Sequence, residues 1–476
     1  MKTRMGTISL MALMAFSTEA AAQPVLKSTA EGQVGVEVTV YNSNLGLVKE
    51  SRKVELEGGQ GELQFMDVAS QIMPVTVHAK SLDHPEEFTV LEQNYEYDLM
   101  NETKLLDKYV GKKIKLLNWN QYQDRKEIVE AELLSNNQGQ IYRINGEIYL
   151  GHPGYRILPE IPENLIAKPT LTWTYDAKAN KSHNLEVSYL TGGINWKADY
   201  VIVLNKEDTG ADLSGWVTVD NQSGATYKEA KLKLVAGTIH RAPDRFYDEE
   251  REYAMARKSM AAESNAQFTE QGLFEYHMYD LQRRTTIKDN QTKQISLLEA
   301  SGAGVQKELL VYGIRAYFTS RYQEQVEKQP VNVYVKFKNS KENHLGMPLP
   351  EGIMRLYKKD DKGALQFVGE DRIHHTPKDE EVKLKVGEAF DVVAERVQTD
   401  FKALSSHLYE SEWEITLRNH KQEPVTVGLI EPVFGNWQVI SNSHPYTKVD
   451  AFTIRFDVPV GKDQEVKVKY RIRVGL

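Results

Sequence analysis

The chain has 476 residues, 41% hydrophobic and 26% charged, with a formal net charge of −8 and no cysteine. This composition excludes wholesale disorder, and the lack of cysteine excludes disulfides and thiol chemistry. A mildly acidic chain without a basic stripe also argues against nucleic acid as a partner, because Lys and Arg on phosphates drive that binding.

Lys2 and Arg4 precede a mostly apolar run from Met5 to Phe16, and Ala20, Ala21 and Ala22 supply small residues before Gln23. This is the pattern of a secretory signal peptide cleaved after Ala22, and it predicts a periplasmic or secreted protein. The run is shorter than the roughly 20 residues that span a bilayer. No later segment has the length and apolarity of a transmembrane anchor.

After residues 1–22 the main signal is alternation. Val34, Val36, Val38 and Val40 alternate with polar neighbours, and residues 23–100 read as an N-terminal β unit. Residues 101–165 hold LLDKYVGKKIKLLN, KEIVEAELLSNNQGQIYRINGEIYLG and HPGYRILPEIP, about five short strands that suggest a small SH3-like or Sm-like barrel. Pro159, Pro162 and Pro169 mark a linker. From 170 to 476 the alternation resumes in Leu232 and Leu234, in Val333, Val335 and Phe337, and in Val466, Val468, Tyr470, Ile472 and Val474. A period of two buries one face of a strand and wets the other. GGQG at 58–61, NNQG at 136–139, NQSG at 221–224 and DDKG at 360–363 supply turns. The expected class is all-β: several antiparallel β-sandwich-like modules plus the small barrel. One segment departs from it. Residues 244–271 are rich in charge, Ala and Met, and read as a mobile, short helical or disordered insertion.

Within YLTGGINWKADY (189–200), Gly192 and Gly193 read as a hairpin turn. Trp196, Ala198 and Tyr200 should face a core, with Lys197 and Asp199 on the opposite side. Trp173, Trp196 and Trp216 are expected in the core of one sandwich.

Five blocks carry a family resemblance in order: YLTGGINWKADY, LSGWVTVDNQSGATYKEAKLKLVAG (213–237), TTIKDNQTKQISLL (285–298), GEDRIHHTPKDEEVKLKVGEAFDV (369–392) and ITLRNHKQEPVTVGLIEP (415–432). Over about 170–476 the chain resembles the bacterial envelope family called domain of unknown function 4139, which also forms the C-terminal part of proteins labelled mucoidy inhibitor A. The resemblance implies an extracytoplasmic β-rich protein and points to capsule or envelope physiology. It brings no catalytic residues. An obvious coiled-coil segment before the shared region, found in those proteins, is lacking here.

The most suggestive polar cluster is GEDRIHHTPKDEE, with Glu370, Asp371, His374, His375 and Asp379. A metal site needs such ligands converging at about 2.0 to 2.2 Å. Adjacent histidines on a strand point to opposite faces, which favours a polar turn into VKLKV; His374, His375 and Glu370 remain the metal candidates. Asp360 and Asp361 lack the spaced oxygens of a calcium loop. No GxSxG elbow, HExxH or phosphate loop is present, and no cofactor is expected. Tyr and Trp, at 24 and 6, outnumber the 14 Phe, and such amphipathic rings suit sugar and peptide surfaces.

Three readings follow. The first is a non-catalytic protein that binds an envelope protein or glycan through strand edges, the insertion or a loop. The second is a metal-assisted hydrolase acting on envelope polysaccharide or peptide through His374 or His375 with Glu370. The third makes the small barrel a peptide-binding module. No pattern in the sequence specifies an oligomeric state.

Overall fold

The computed structural model describes residues 25–96, 101–120, 125–162, 168–241, 267–322 and 326–476. The expected signal segment 1–22 and most of the expected 244–271 insertion lie outside them. Of the described residues 65% are in strands and 6% are helical, an all-β class. It divides into two compact units: one runs to Val36 and resumes over Lys49–Leu190, and the other comprises Glu37–Val48 and Thr191–Leu476.

In the first unit, strands Val25–Ser28, Gly59–Met66, Thr170–Ala177 and Phe88–Glu96 lie side by side in that order. Thr170–Ala177 pairs with both Gly59–Met66 and Phe88–Glu96. Its alternation buries Leu171, Trp173, Tyr175 and Ala177, with Trp173 5.3 Å from the Phe65 ring. Lys181–Thr191 pairs with His78–Ser81. The β pattern after the proline-rich 159–169 stretch therefore opens with strands that complete the first unit. Arg52 lies fully buried against the Phe65 ring at 3.7 Å, bonded to Glu50 and to the Ser28 and Met66 carbonyls. A guanidinium with this many acceptors retains hydrogen bonds in place of water, which is what makes its burial tolerable.

The same unit carries a five-stranded module. Asn101 caps helix Glu102–Tyr109 by accepting the Lys104 N–H at 2.9 Å. The strand order is Glu147–Leu150, Ile141–Ile144, Arg125–Ser135, Lys113–Asn120, Tyr155–Ile157, all antiparallel. The last strand thus returns beside the first strand of the module. Leu106 and Tyr109 of the helix pack with Ile114, Leu116, Ala131, Leu133, Tyr142 and Ile144.

In the second unit, Gln291–Gly304, Gly210–Asn221, Ile194–Leu204, Gly352–Lys359 and Leu365–Ile373 form a five-stranded sheet in that order. Trp196 faces inward, 6.1 Å from the Tyr279 ring, and its Nε1 donates to the Val235 carbonyl at 3.2 Å. Glu37–Tyr41 pairs parallel to Lys231–Val235. A second sandwich follows, with one sheet containing Gln306–Tyr312, Val425–Pro432 and Thr453–Val460 and the other containing Val392–Ser405, Leu408–Asn419 and Gln464–Gly475. Val311, Leu429, Phe456 and Val458 from one meet Ala394, Ile415, Val468 and Ile472 from the other in a single core.

That core holds an ion pair. Arg396 and Glu431 are both fully buried, with Nη2 2.6 Å from Oε1. Arg396 also donates to Gln329 Oε1 and the Tyr470 hydroxyl, and lies over the Tyr317 ring at 4.8 Å. Burial works against its charge, but Glu431 outweighs burial and holds the guanidinium pKa above its ordinary value.

Four features differ from the sequence expectation. The sheets are mixed, with parallel pairs such as Ile194–Leu204 with Gly352–Lys359 and Gln306–Tyr312 with Val425–Pro432. Gly192–Gly193 is a corner between two sheets, not a hairpin turn: Lys181–Thr191 and Ile194–Leu204 take different partners. Trp173 and Trp196 lie in separate units, and Trp216 is 38% exposed. Residues 268–271, at the end of the expected insertion, belong to strand Phe268–Leu273, which pairs with Tyr276–Leu281.

Among the described residues no helix is long and apolar enough to cross a membrane.

Candidate functional site

The corner at Gly192–Gly193 aims the strand that builds the site. Gly193 has φ +71°, a conformation in which an L side chain is strained, and its N–H donates to Asn44 Oδ1 at 3.0 Å. The strand Ile194–Leu204 then buries Trp196, Ala198 and Tyr200 and turns Lys197 and Asp199 outward, as its alternation predicts.

On that outer face the neighbouring strands supply matched partners. Asp199 stands opposite Trp216, Lys197 opposite Thr218, and Thr218 opposite Gln294. Thr218 Oγ1 donates to Asp199 Oδ2 at 3.2 Å, and Gln294 Nε2 donates to Thr218 Oγ1 at 3.3 Å. Arg355, on the parallel neighbour, donates from Nη1 to Asp199 Oδ1 at 3.0 Å and places Nε 3.1 Å from Glu370 Oε2. Gln294, Thr218, Asp199, Arg355 and Glu370 thus form one polar line across all five strands. The hydrogen bond to Asp199 leads the effects that raise the Arg355 pKa, so the guanidinium stays charged. Trp216 borders this line, and Tyr357 and exposed Phe367 form an edge-to-face pair at 5.6 Å on the outer strands.

The sequence candidates are dispersed around this face. Glu370 belongs to the polar line. His375 lies beyond the strand end, where its Nδ1 accepts the Glu351 N–H at 3.1 Å; desolvation of the ring lowers its pKa. Asp371 accepts the Lys385 N–H at 2.7 Å. His374 follows the strand on exposed backbone. Among the described residues no group of three or more His, Asp or Glu is placed to hold a metal ion. Asp360 accepts the Lys362 and Ala364 N–H groups and shapes the turn expected of DDKG.

A second cluster, in the first unit, escaped the sequence reading because its members lie about a hundred positions apart. Ser81 Oγ is 2.8 Å from Asp83 Oδ1 and 3.0 Å from His183 Nδ1. In a nucleophilic triad the imidazole stands between hydroxyl and carboxylate. Here serine takes the middle position, and both Ser81 and His183 are buried. Burial lowers the His183 pKa, so the cluster fixes a loop around a neutral imidazole.

The family model for the domain of unknown function DUF4139 matches residues 185–474. The chain belongs to the DUF4139 family. The DUF4139 match covers every residue of the polar line and leaves the five-stranded module of the first unit outside it. No curated protein matches the chain.

Proposed function

We propose that this DUF4139 protein is a non-catalytic, exported binder of another cell-envelope component, a protein or a glycan, and that the outer face around Trp216 contacts it. The observation that carries this reading is the polar line across five strands, bordered by exposed aromatic rings. Rings with fixed donors and acceptors beside them are what protein interfaces and sugar-binding surfaces use. Asp199 is engaged by Thr218 and Arg355. The groups that face outward for a ligand are the outer oxygen of Glu370, the ring faces of Trp216 and Phe367, and exposed Lys197, whose Nζ stands 4.0 Å from Asp199 Oδ2. Export is supported by the basic, apolar and small-residue pattern over residues 2–22.

The test is site-specific photo-crosslinking in the intact envelope of the host, with the reactive side chain at Trp216, at Phe367 or, as a control, at exposed Val75 of the first unit. A discrete adduct from the first two positions and not the third supports the reading. No adduct, or the same adducts from Val75, refutes it.

A further inference from the structure

The cluster around Ser81 in the first unit has a protonation pattern dictated by its geometry. Residues 82–87 connect strand His78–Ser81 to strand Phe88–Glu96 and are fastened to Lys181–Thr191 at several points. Leu82 N–H donates to the Asn184 carbonyl at 2.9 Å, the Asn184 N–H reaches both Asp83 oxygens at 3.1 Å, and Lys181 Nζ lies 3.2 Å from Glu87 Oε2. Ser81 has one hydroxyl proton, which the Asp83 carboxylate accepts at 2.8 Å. The Ser81 oxygen is left to accept, from the His84 N–H at 3.2 Å and from His183 Nδ1 at 3.0 Å. His183 therefore carries its ring proton on Nδ1, and its Nε2 holds a lone pair. That nitrogen is buried and has no hydrogen-bond partner among the described residues. A lysine ammonium only donates, so Lys181 Nζ, 3.3 Å from His84 Nδ1, fixes the ring proton of His84 on Nε2.

Both rings are thus placed for the neutral form alone. A proton added to His183 must sit on Nε2, where it makes a buried donor without an acceptor. The charged and titratable groups that face this ring are Asp83, His84 and Glu87 from the connection and Lys181 from its own strand; the Phe88 ring lies 6.3 Å away. Asp83 already accepts from Ser81 and Asn184, and Glu87 from Lys181. A proton added to His84 must sit on Nδ1, where it meets the Lys181 ammonium. With both rings charged, their centroids 5.4 Å apart, three cations crowd two carboxylates. Lys80 and Glu186, which stand opposite each other on His78–Ser81 and Lys181–Thr191, form a separate ion pair at 3.0 Å.

We propose that this cluster is an acid-operated clasp: protonation of His183, with His84 beside it, releases residues 82–87 from Lys181–Thr191 while the rest of the unit stays folded. The strand itself is anchored by Leu185, Val187 and Tyr189, all buried. Water around the opened ring restores the ordinary histidine pKa of about 6.5, whereas burial holds the closed ring below that value. The clasp is therefore fully closed above the ordinary value and opens as the pH falls toward the closed one, by up to about tenfold per pH unit for one proton. The clasp is separate from the binding face on the second unit and does not rest on it.

The test is hydrogen exchange read by mass spectrometry on the chain 23–476 from pH 7.5 to pH 5.0, corrected for the intrinsic pH dependence of amide exchange. Protection in peptides covering 82–87 and Asn184 should be constant above about pH 6.5 and fall by up to about 30-fold between there and pH 5.0. Peptides within Thr170–Ala177 should keep their protection throughout. His183→Asn sets a side-chain amide where Nδ1 stands, so it retains a donor for Ser81 but does not titrate; its protection over 82–87 should stay within about twofold across the range. His183→Gln serves in the same way if the far-UV spectrum shows that His183→Asn has not folded. Protection in the unsubstituted protein that changes by less than about twofold overturns the proposal. So does a loss shared equally by Thr170–Ala177, which is unfolding of the unit, and so does a folded His183 variant that keeps the full pH dependence.

Discussion

Replacing Glu431 by glutamine probes the buried pair in the second sandwich without opening a cavity, since the two side chains are nearly isosteric. The change strips the counter-charge from Arg396 and leaves its bonds to Gln329 and Tyr470 in place. Removing one partner of a buried ion pair costs about 3 to 5 kcal/mol, because the other charge is left uncompensated away from water. Each kcal/mol lowers the melting temperature of a domain of 150 to 250 residues by about 2 to 4 °C. The transition that melts this sandwich should therefore fall by about 6 to 20 °C in differential scanning calorimetry. Added salt should restore little of the loss, because ions do not screen a pair of zero exposure. The double variant Arg396→Met, Glu431→Met removes both charges and should recover much of the deficit. A drop of less than about 3 °C for Glu431→Gln, or a double variant no better than the single one, would show that the pair does not work electrostatically as described.

The remaining expectations concern separate parts of the molecule. A Cβ on Gly313 would stand 2.0 Å from Glu431 Oε2, so Gly313→Ala should destabilise the same sandwich and lose most of its effect in a Glu431→Ala background; paired thermal melts decide this. The folded-state pKa of His183 lies below the ordinary 6.5, so its contribution is fully present above that pH and is lost as the pH falls through it toward the folded value. Urea midpoints at pH 8 and pH 5 should therefore separate more for the unsubstituted protein than for His183→Gln. Zinc, calcium and magnesium should shift the melting temperature of neither the unsubstituted protein nor His375→Ala, since Glu370 is held by Arg355 and His375 accepts a backbone N–H; thermal melts with and without each ion check this.

Alternation made the strands legible, and with them the inward Trp196 and the outward Asp199. The partner of each strand was not legible. A glycine pair between two alternating runs looks the same whether the runs bond to each other or, as at Gly192–Gly193, turn into different sheets. Local pattern carries no record of distant pairing, which also hid the parallel ladders. Burial of Thr191, Gly192 and Ile194 at this corner is what distinguishes it from an exposed hairpin tip, and that depends on tertiary packing. Trp216 was readable: Leu213, Val217 and Val219 share the buried parity, so Trp216 had to face outward with Ser214 and Thr218. Its size suggested a core position, and parity decided otherwise. The polar line joins residues from 199 to 370, and only its five-strand order brings them into register.

The pairing of Glu37–Tyr41 with Lys231–Val235 has a consequence for biosynthesis. The ribosome completes the first strand early, then makes about 190 further residues before its partner exists, a delay of roughly 10 to 40 s at typical elongation rates. An N-terminal segment held waiting that long is exposed to chaperones, proteases and neighbouring chains. The family-matched stretch 185–474 produced by itself would lack this strand altogether and leave Lys231–Val235 paired on one side alone, with Tyr276–Leu281.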